Sequence, residues 1–499
     1  MSVPGLSLDA VLGLHRTGNL VAAETGYQTL IRSGLRHPVC YNNLGVILLD
    51  AGRLEEAEAT LLHAIELDPR NAQAHNNLGL VMMERDEVEQ AAHYHSTAIR
   101  LNGRDAGACS NLGVAFQALG RLEDALAAHE RAVALAPELP EAQVNLGETL
   151  LASGQIDAAI AAYRRAIALR PDFADAHEFL AHALLLRGDF ESGWHHYDWR
   201  LQRQQHLLRA PPGVEAWDGD LSSGERLLLL SEQGLGDTIL FCRYGLDLQR
   251  LGMEAALVCQ RQLVPLIRSA ALFNDVHDAI PPGAAHDPRI RWFPLLSLPR
   301  VLASPPQPVP GTSGYLRASA DAADFWRTRL HRSDELVVGV AWQGNPAAEK
   351  GNHRGRSFPL EQMRPLSEVP GVRLLSLQRG PGAEQLQTCS FRASFVEDRE
   401  IERAFEFTDI AALMMACDLI VSSDTSVAHL AAALNQPTWL ALKRVPDWRW
   451  QLQGSDCLWY RSARLFRQSS AGRWTEVFEA MRTELGALRA QGASLRGSH

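Results

Sequence analysis

The stretch NLGVILLDAGRLEEAEATLLHAIELDPRNAQAHN, residues 43–76, decides the reading of the first part of the chain. Its opening triplet Asn-Leu-Gly returns every 34 residues, at Asn43 to Gly45, Asn77 to Gly79, Asn111 to Gly113 and Asn145 to Gly147. A fixed period of that length marks stacked supersecondary units. Small residues recur at constant offsets, Ala57, Ala91, Ala125 and Ala159 and then Ala64, Ala98, Ala132 and Ala166, so two antiparallel helices can pack closely in each unit. Pro69, Gly103, Pro137 and Pro171 break the chain between units. Weaker copies flank the four good ones, with Gly18, Ala23 and Tyr27 upstream and Leu180, Ala181, Gly188 and Tyr197 downstream. The array is therefore expected over residues 4–207 as about six units, the outer ones degenerate because a capping unit shows one face to something other than a repeat.

This pattern is identified as the tetratricopeptide repeat, which implies an all-α solenoid. In such arrays the asparagine before Leu-Gly projects into the concave groove. The resemblance makes Asn43, Asn77, Asn111 and Asn145 candidates to bind the backbone of an extended acceptor peptide through their side-chain amides. The competing reading is that these asparagines tie adjacent repeats together.

The repeats leave nearly 300 of the 499 residues unexplained, and a composition 46% hydrophobic and 21% charged lets that remainder bury a core. A formal net charge of −10 argues against nucleic acid and against an anionic membrane surface as partners. Among the basic residues only Lys350 and Lys443 are lysines, which coding bias explains. Seven cysteines without a Cys-x-x-Cys pair indicate neither a zinc site nor a disulfide framework. No apolar run reaches the roughly 18 residues of a membrane span, and MSVPGLSLDAVLGL lacks the features of a leader, so a cytoplasmic protein without stable membrane insertion is expected.

Residues 208–224, rich in Pro, Gly and Ser, read as a linker after the aromatic residues Trp194, Tyr197 and Trp199. Beyond it, apolar runs of strand length alternate with helical stretches. Leu227 to Leu230 and Ala255 to Val258 begin one series; Leu336 to Trp342, Val372 to Leu377 and Asp418 to Val421 form a second. Two doubly wound parallel sheets are expected, over residues 225–325 and 326–490 with the changeover near 318–335, and ligands in such folds bind at the carboxyl ends of the strands.

Two strand ends carry the sharpest patterns. Ser422 to His429, SSDTSVAH, lies between an apolar strand and a helix, where short polar residues and the helix dipole make a pocket for an anion such as a diphosphate. Ser423 or Asp424 acting as a plain cap is the alternative. At the mirror position, Glu232 to Thr238 reads EQGLGDT, with Gly234 and Gly236 leaving room near the main chain. Asp237 there is either a helix cap or a general base, and Glu232 is the alternative base. Between the two sites, Lys350, Arg354 and Arg356 supply positive charge for a leaving diphosphate. Asp409 reads as a cap, and Trp448 and Trp450 as core or pocket floor.

DTSVAHLAAALNQPTWLAL, residues 424–442, resembles the corresponding segment of bacterial heptosyltransferase-like glycosyltransferases. The resemblance implies a metal-independent GT-B domain of two Rossmann-like halves, α/β, that inverts the anomeric centre. It gives Asp424 the donor sugar hydroxyls and Thr425, Ser426, Val427 and His429 the phosphate. Arg356 becomes the basic residue that matches best, Lys350 second, and Gln378 and Arg379 lie where the family holds base and ribose. The Gly-Asp pair makes Asp237 the base. With the repeats, the chain is similar to protein O-GlcNAc transferases and bacterial flagellin glycosyltransferases, without the former's catalytic histidine motif in the first sheet. No cofactor is expected beyond a nucleotide-sugar donor linked to UDP, GDP or CMP. The leading expectation is transfer to Ser or Thr of a protein held by the repeats. Transfer to a glycan or lipid-linked saccharide, with the repeats serving assembly, and a non-catalytic scaffold are the alternatives, and self-association is left open.

Overall fold

The structure is a computed structural model that describes residues 6–203, 208–222, 224–310, 314–331, 335–349 and 354–490. The chain divides into two compact units between Ala176 and His177.

The first unit is helical throughout its described residues. Its pairs are Leu8–Arg16 with Leu20–Arg32, Pro38–Asp50 with Leu54–Leu67, Ala72–Glu84 with Val88–Leu101, Ala106–Ala118 with Leu122–Leu135, and Pro140–Ala152 with Ile156–Leu169. The sequence sets their starts in two ways. Asn71 and Asp105 cap the next helix, accepting from Ala74 N–H at 3.0 Å and Ala108 N–H at 3.0 Å. Pro38 and Pro140 occupy first-turn positions, where a missing N–H loses nothing.

The glycine of Asn-Leu-Gly has a packing cause. A Cβ on Gly45, Gly79, Gly113 or Gly147 would lie 2.6, 2.6, 2.5 and 2.5 Å from the side chains of Leu61, His95, His129 and Tyr163, all in the second helix of the same pair. The missing side chain is the seat of that residue. The asparagine amides take the second of the two expected roles, the tie between repeats. Asn77 Nδ2 donates to Asn42 Oδ1 at 2.9 Å, Asn111 Nδ2 to Asn76 Oδ1 at 3.2 Å, and Asn145 Nδ2 to Ser110 Oγ at 2.8 Å. Each acceptor directly precedes the repeat asparagine of the preceding unit, and Asn43 likewise donates to Tyr27 Oη at 3.1 Å. The ladder is thus first a set of ties between repeats. Among the described residues, the Oδ1 atoms of Asn77, Asn111 and Asn145 accept no hydrogen bond and remain available as acceptors.

The seats at 95 and 129 hold fully buried imidazoles. His95 Nδ1 meets Asn76 Oδ1 at 2.8 Å, while neither ring nitrogen of His129 has a hydrogen-bond partner. Burial pushes both pKa values down from 6.5 to about 4. A histidine depressed in the folded state contributes stability that is complete above its unfolded pKa and is lost as pH falls through the folded value. Each ring should therefore cost the array up to about 3 kcal/mol between pH 6.5 and 4. Chemical unfolding followed at the two pH values should show this loss, and His129→Leu, which copies the apolar seat at Leu61, should remove about half of it; an unchanged pH dependence in that variant would contradict the assignment.

The second unit contains two five-stranded parallel sheets. The first comprises β1 (Glu215–Ala216), β2 (Arg226–Leu230), β3 (Ala255–Val258), β4 (Asp275–His277) and β5 (Ile290–Pro294) in the order β1-β5-β2-β3-β4. The second comprises β6 (Leu336–Ala341), β7 (Val372–Ser376), β8 (Leu419–Ser422), β9 (Thr438–Leu442) and β10 (Ala463–Arg467) in the order β10-β9-β8-β6-β7. The central strands, β2 and β8, are buried along nearly their whole length, which is why they read as unbroken apolar runs. This is the α/β arrangement of two parallel sheets expected of a GT-B domain.

Three boundaries differ from expectation. The segment read as a linker contributes β1, which pairs with β5 through Glu215 opposite Arg291. The helices Ala174–Arg187 and Phe190–Tyr197, expected as the last repeat, fall largely in the second unit, where the buried Arg200 that follows them grips Glu232. The changeover between sheets comes before 318–335 and not at 325/326. Helix Ala320–Leu330 packs on helix Phe407–Ala416 of the second sheet's half, and already at Leu316 the backbone N–H donates to Ala433 O at 3.2 Å. Gly314 makes that docking possible, since a Cβ there would lie 2.1 Å from Ala433 O.

Candidate functional site

The carboxyl ends of β2 and β8 open on one cavity of about 970 Å³. Gly234 to Asp237 from the first sheet's half and Asp424 to Val427 with His429 from the second line it, together with Arg356, Asp447, Trp448 and Arg449. Five expectations from sequence, Asp237, Asp424, Ser426, His429 and Arg356, thus meet at one place.

After β8 the chain turns at Thr425 into helix Ser426–Ala433. Thr425 is the N-cap residue, and no side chain caps the helix; the alternative of Ser423 or Asp424 as a plain cap does not hold. Ser422 Oγ instead lies 3.1 Å from Thr425 Oγ1, and Ser423 N–H donates to Ala341 O at 3.0 Å, which fixes the turn. The first amides of the helix therefore face the cavity without a side-chain acceptor, and with the helix dipole they favour an anion. Asp424, half-buried at the turn, has its pKa raised by burial and by the neighbouring Asp447, an effect that Arg356 and Arg449 partly offset.

His429 lies one turn further, buried on Trp450 with ring centroids 4.9 Å apart and an interplanar angle of 28°. Its Nδ1 is 3.0 Å from Tyr460 Oη. Tyr315 Oη donates to Ile239 O at 2.9 Å and lies 3.4 Å from Tyr460 Oη, so the Tyr460 hydroxyl stands between two groups that can accept its proton, Tyr315 Oη and His429 Nδ1. With the Tyr460 proton on Nδ1, a neutral His429 carries its own proton on Nε2 and can donate from there. Burial, reinforced by Arg449, pushes its pKa down to about 3. The imidazole is thus neutral near pH 7 and not a cation. Histidine NMR should show a ring that does not titrate between pH 5 and 8, and a midpoint near 6.5 for His429 would contradict this reading.

Gly236, expected to make room for substrate, makes room for this ring: a Cβ there would lie 2.9 Å from His429 Cδ2 and 3.6 Å from Ser426 Cα. It lets the helix starting at Leu235 approach the helix starting at Ser426. Gln233, just before, takes φ of 62°, a left-handed conformation unusual for a residue with a side chain, and Tyr197 Oη holds its Oε1 at 3.2 Å. Gly236→Ala should displace His429, and a crystal structure of the variant with an unmoved ring would overturn the packing argument.

The two candidate bases differ. Asp237, at the third position of helix Leu235–Phe241, accepts Gly234 N–H at 2.9 Å through Oδ2 and pairs with Arg449 through Oδ1. It is both the cap and a cavity residue. Glu232 is buried in a two-pronged pair with Arg200, at 2.6 Å from Nη2 and 3.2 Å from Nε, and is not part of the cavity lining. Its carboxylate is committed to structure, which corrects its assignment as an alternative base.

Around β6, Arg356 keeps a buried Nε with no hydrogen bond, forms an ion pair with Glu349 Oε1 at 3.7 Å, and lines the cavity. Lys350 lies outside the described residues. Gln378 lines the cavity but has no capacity left for a ligand. Its Oε1 accepts Trp342 N–H at 3.1 Å and Gln343 N–H at 3.0 Å, and its Nε2 donates to Gln343 O at 2.9 Å and Pro381 O at 2.8 Å. Arg379 is likewise stapled to the carbonyls of Ala404, Ser376, Gln378 and Ile401 at 2.9 to 3.1 Å. Both hold the loops that shape the pocket, a correction to their expected contact with the nucleotide. Asp409 sits in the first turn of helix Phe407–Ala416, off the cavity lining.

Sequence reasoning missed Arg449, Tyr460, the exposed Phe405 of the cavity wall and Lys443, whose Nζ donates to Arg354 O at 3.2 Å and whose charge faces Asp447 and Asp424. PDWRW drew notice for its tryptophans; an arginine between two of them was the available signal. Both tryptophans are buried, Trp448 beneath the Arg449 guanidinium at 4.2 Å and Trp450 beneath His429. Among the described residues no group of three or more His, Cys, Asp or Glu side chains could hold a metal ion, and no helix is long and apolar enough to cross a membrane.

Comparison with known proteins agrees with this layout. Residues 45–86 and 147–188 match a TPR repeat model, and residues 108–143 a tetratricopeptide repeat model. Residues 396–442, which include β8, the turn at Thr425 and β9, match the model of glycosyltransferase family 9 (heptosyltransferase). Protein FlbA of Caulobacter vibrioides is 26% identical over 317 residues, 59% of this chain and 52% of its own length, so the chain spans about half the length of that relative. Among solved structures, YrrB, a TPR protein with an unusual peptide-binding site, is 24% identical with a TM-score of 0.30 over 36% of this chain and 92% of its own. TTC0263, a thermophilic TPR protein of Thermus thermophilus, is 25% identical with a TM-score of 0.32 over 36% of this chain and 97% of its own. The chain thus joins tetratricopeptide repeats to a two-sheet domain with a segment that matches the glycosyltransferase family 9 (heptosyltransferase) model.

Proposed function

We propose that the second unit transfers a sugar from a nucleotide-linked donor to a hydroxyl of an acceptor protein, and that the repeats bind that acceptor. The observation that carries the reading is the uncapped start of helix Ser426–Ala433, open to a cavity with Asp237 on its other wall. The family 9 match over the same segment supports a glycosyltransferase. The acceptor hydroxyl oxygen would attack the anomeric carbon, the bond from that carbon to the phosphate oxygen would break, and the hydroxyl proton would pass to Asp237. The leaving phosphate would take hydrogen bonds from the Ser426 and Val427 amides and His429 Nε2 and charge from Arg356, groups that gain most as the negative charge develops. Attack from the side opposite the departing phosphate inverts the anomeric centre. In the array, the open Oδ1 atoms of Asn77, Asn111 and Asn145 would accept from peptide N–H groups.

Labelled UDP-, GDP- and CMP-sugars offered with cell protein and with lipid-linked saccharide test this. Asp237→Asn should lower transfer to protein by about 10²- to 10⁴-fold, and full activity would remove it as the base. Because helices after Ala174 fold with the second unit, the informative truncation ends at residue 176 and not at 207. It should abolish protein labelling and keep slow donor hydrolysis. Undiminished transfer to saccharide alone would favour the second reading, and no label or hydrolysis with any donor would contradict a transferase.

A further inference from the structure

Arg449 connects the two halves of the site. Its Nη2 pairs with Asp237 of the first sheet's half, its Nη1 donates to Asp447 at 2.7 Å, and its face lies on Trp448 at 4.2 Å. It is buried, with 9% of its side chain exposed, and its charge is felt at both Asp424 and His429. Three carboxylates, Asp237, Asp424 and Asp447, meet three cations there, Arg449, Arg356 and Lys443. Asp237 and Asp447 share one guanidinium, and Asp424 stands nearby.

A phosphate brought to the Ser426 amides adds further negative charge beside these carboxylates. A cation that turns toward it offsets that added charge. Arg449 is built to do so. Asp447 holds Nη1 as a tether and Trp448 keeps the guanidinium in its plane, so only the Nη2 end needs to change partner. Asp237 would keep its Gly234 N–H on Oδ2 and be left with Oδ1 free.

We infer that Arg449 is a positioning residue that the donor phosphate takes over from Asp237, so that donor binding and the unmasking of the base are one event. This rests on the transfer reading above. While Arg449 occupies Oδ1 and Gly234 N–H occupies Oδ2, neither oxygen faces an acceptor hydroxyl; the exchange opens Oδ1 to that hydroxyl only when a donor is in place. Acceptor hydroxyls are then activated after the donor and not before it.

The test is a double-mutant cycle on the full chain, with binding of UDP, GDP and CMP measured by calorimetry and folding checked by thermal unfolding. Asp237→Asn frees Arg449 and should tighten binding of the preferred nucleotide about three- to tenfold. Arg449→Gln should weaken it at least tenfold. In the Arg449→Gln background, Asp237→Asn should change affinity less than twofold, because the coupling runs through the guanidinium. Equal tightening in both backgrounds would mean a general field effect and would overturn the inference, as would no tightening at all. If Arg449→Gln does not fold, Arg449→Lys, which has charge but no fork, replaces it and should lose most of the coupling; full coupling there would also overturn it. Wild-type protein that binds none of the three nucleotides would refute the transferase reading together with this one, whereas binding without coupling refutes this one alone.

Discussion

Both units depend on one steric device, a ring seated where a glycine lacks a side chain. In the array His95, His129 and Tyr163 occupy the seats left by Gly79, Gly113 and Gly147, and in the second unit His429 lies against Gly236. Interiors pack close to crystal density, so even one methyl group at these points would force the helices apart. In the repeats the consequence is a tight helix pair that stacks every 34 residues. At the cavity it is the approach of two helix starts from different sheets, which brings a carboxylate and an anion-binding turn to one place. The spacing of Asp237 from the Ser426 amides, and the direction of His429 Nε2, follow from that contact.

Much of this was legible in the residues. The period announced the array, and the breaks at Pro69, Gly103, Pro137 and Pro171 separated its units, because each repeat is a local unit whose contacts lie within some 35 positions. The buried strands β2 and β8 and the turn between β8 and its helix were legible for the same reason. What could not be read was set by contacts distant in sequence. Glu232 and Arg200, Asp237 and Arg449, and Gln378 with the loop amides at 342 and 343 are paired by the fold, and nothing in their local sequence separates a ligand contact from a structural one. The same limit applies to the last helix pair. Its sequence continues the repeat pattern, while Arg200 and Tyr197 bind it to residues at the end of β2. The asparagines show the opposite case, where regular spacing was right but its cause was the tie to the previous repeat.

The electrostatics of the cavity follow from burial more than from net charge. Desolvation keeps His429 neutral and holds protons on Asp424 more firmly, and the arginines at 356 and 449 supply the fixed positive charge. A neutral imidazole, these two arginines and uncapped amides line the cavity, while Gln378 and Arg379, committed to backbone carbonyls and amides, shape the wall. The exposed Phe405 and the neighbouring Phe407 add an aromatic stretch to that wall.

The most direct measurement is a crystal structure of the full chain with the nucleoside phosphate that binds it best. The expected result is phosphate oxygens within hydrogen-bond distance of the Ser426 and Val427 backbone N–H groups and of His429 Nε2, with Arg356 facing the same anion. A phosphate bound away from the start of that helix, or His429 turned out of the cavity, would contradict the central claim that this turn is the donor site.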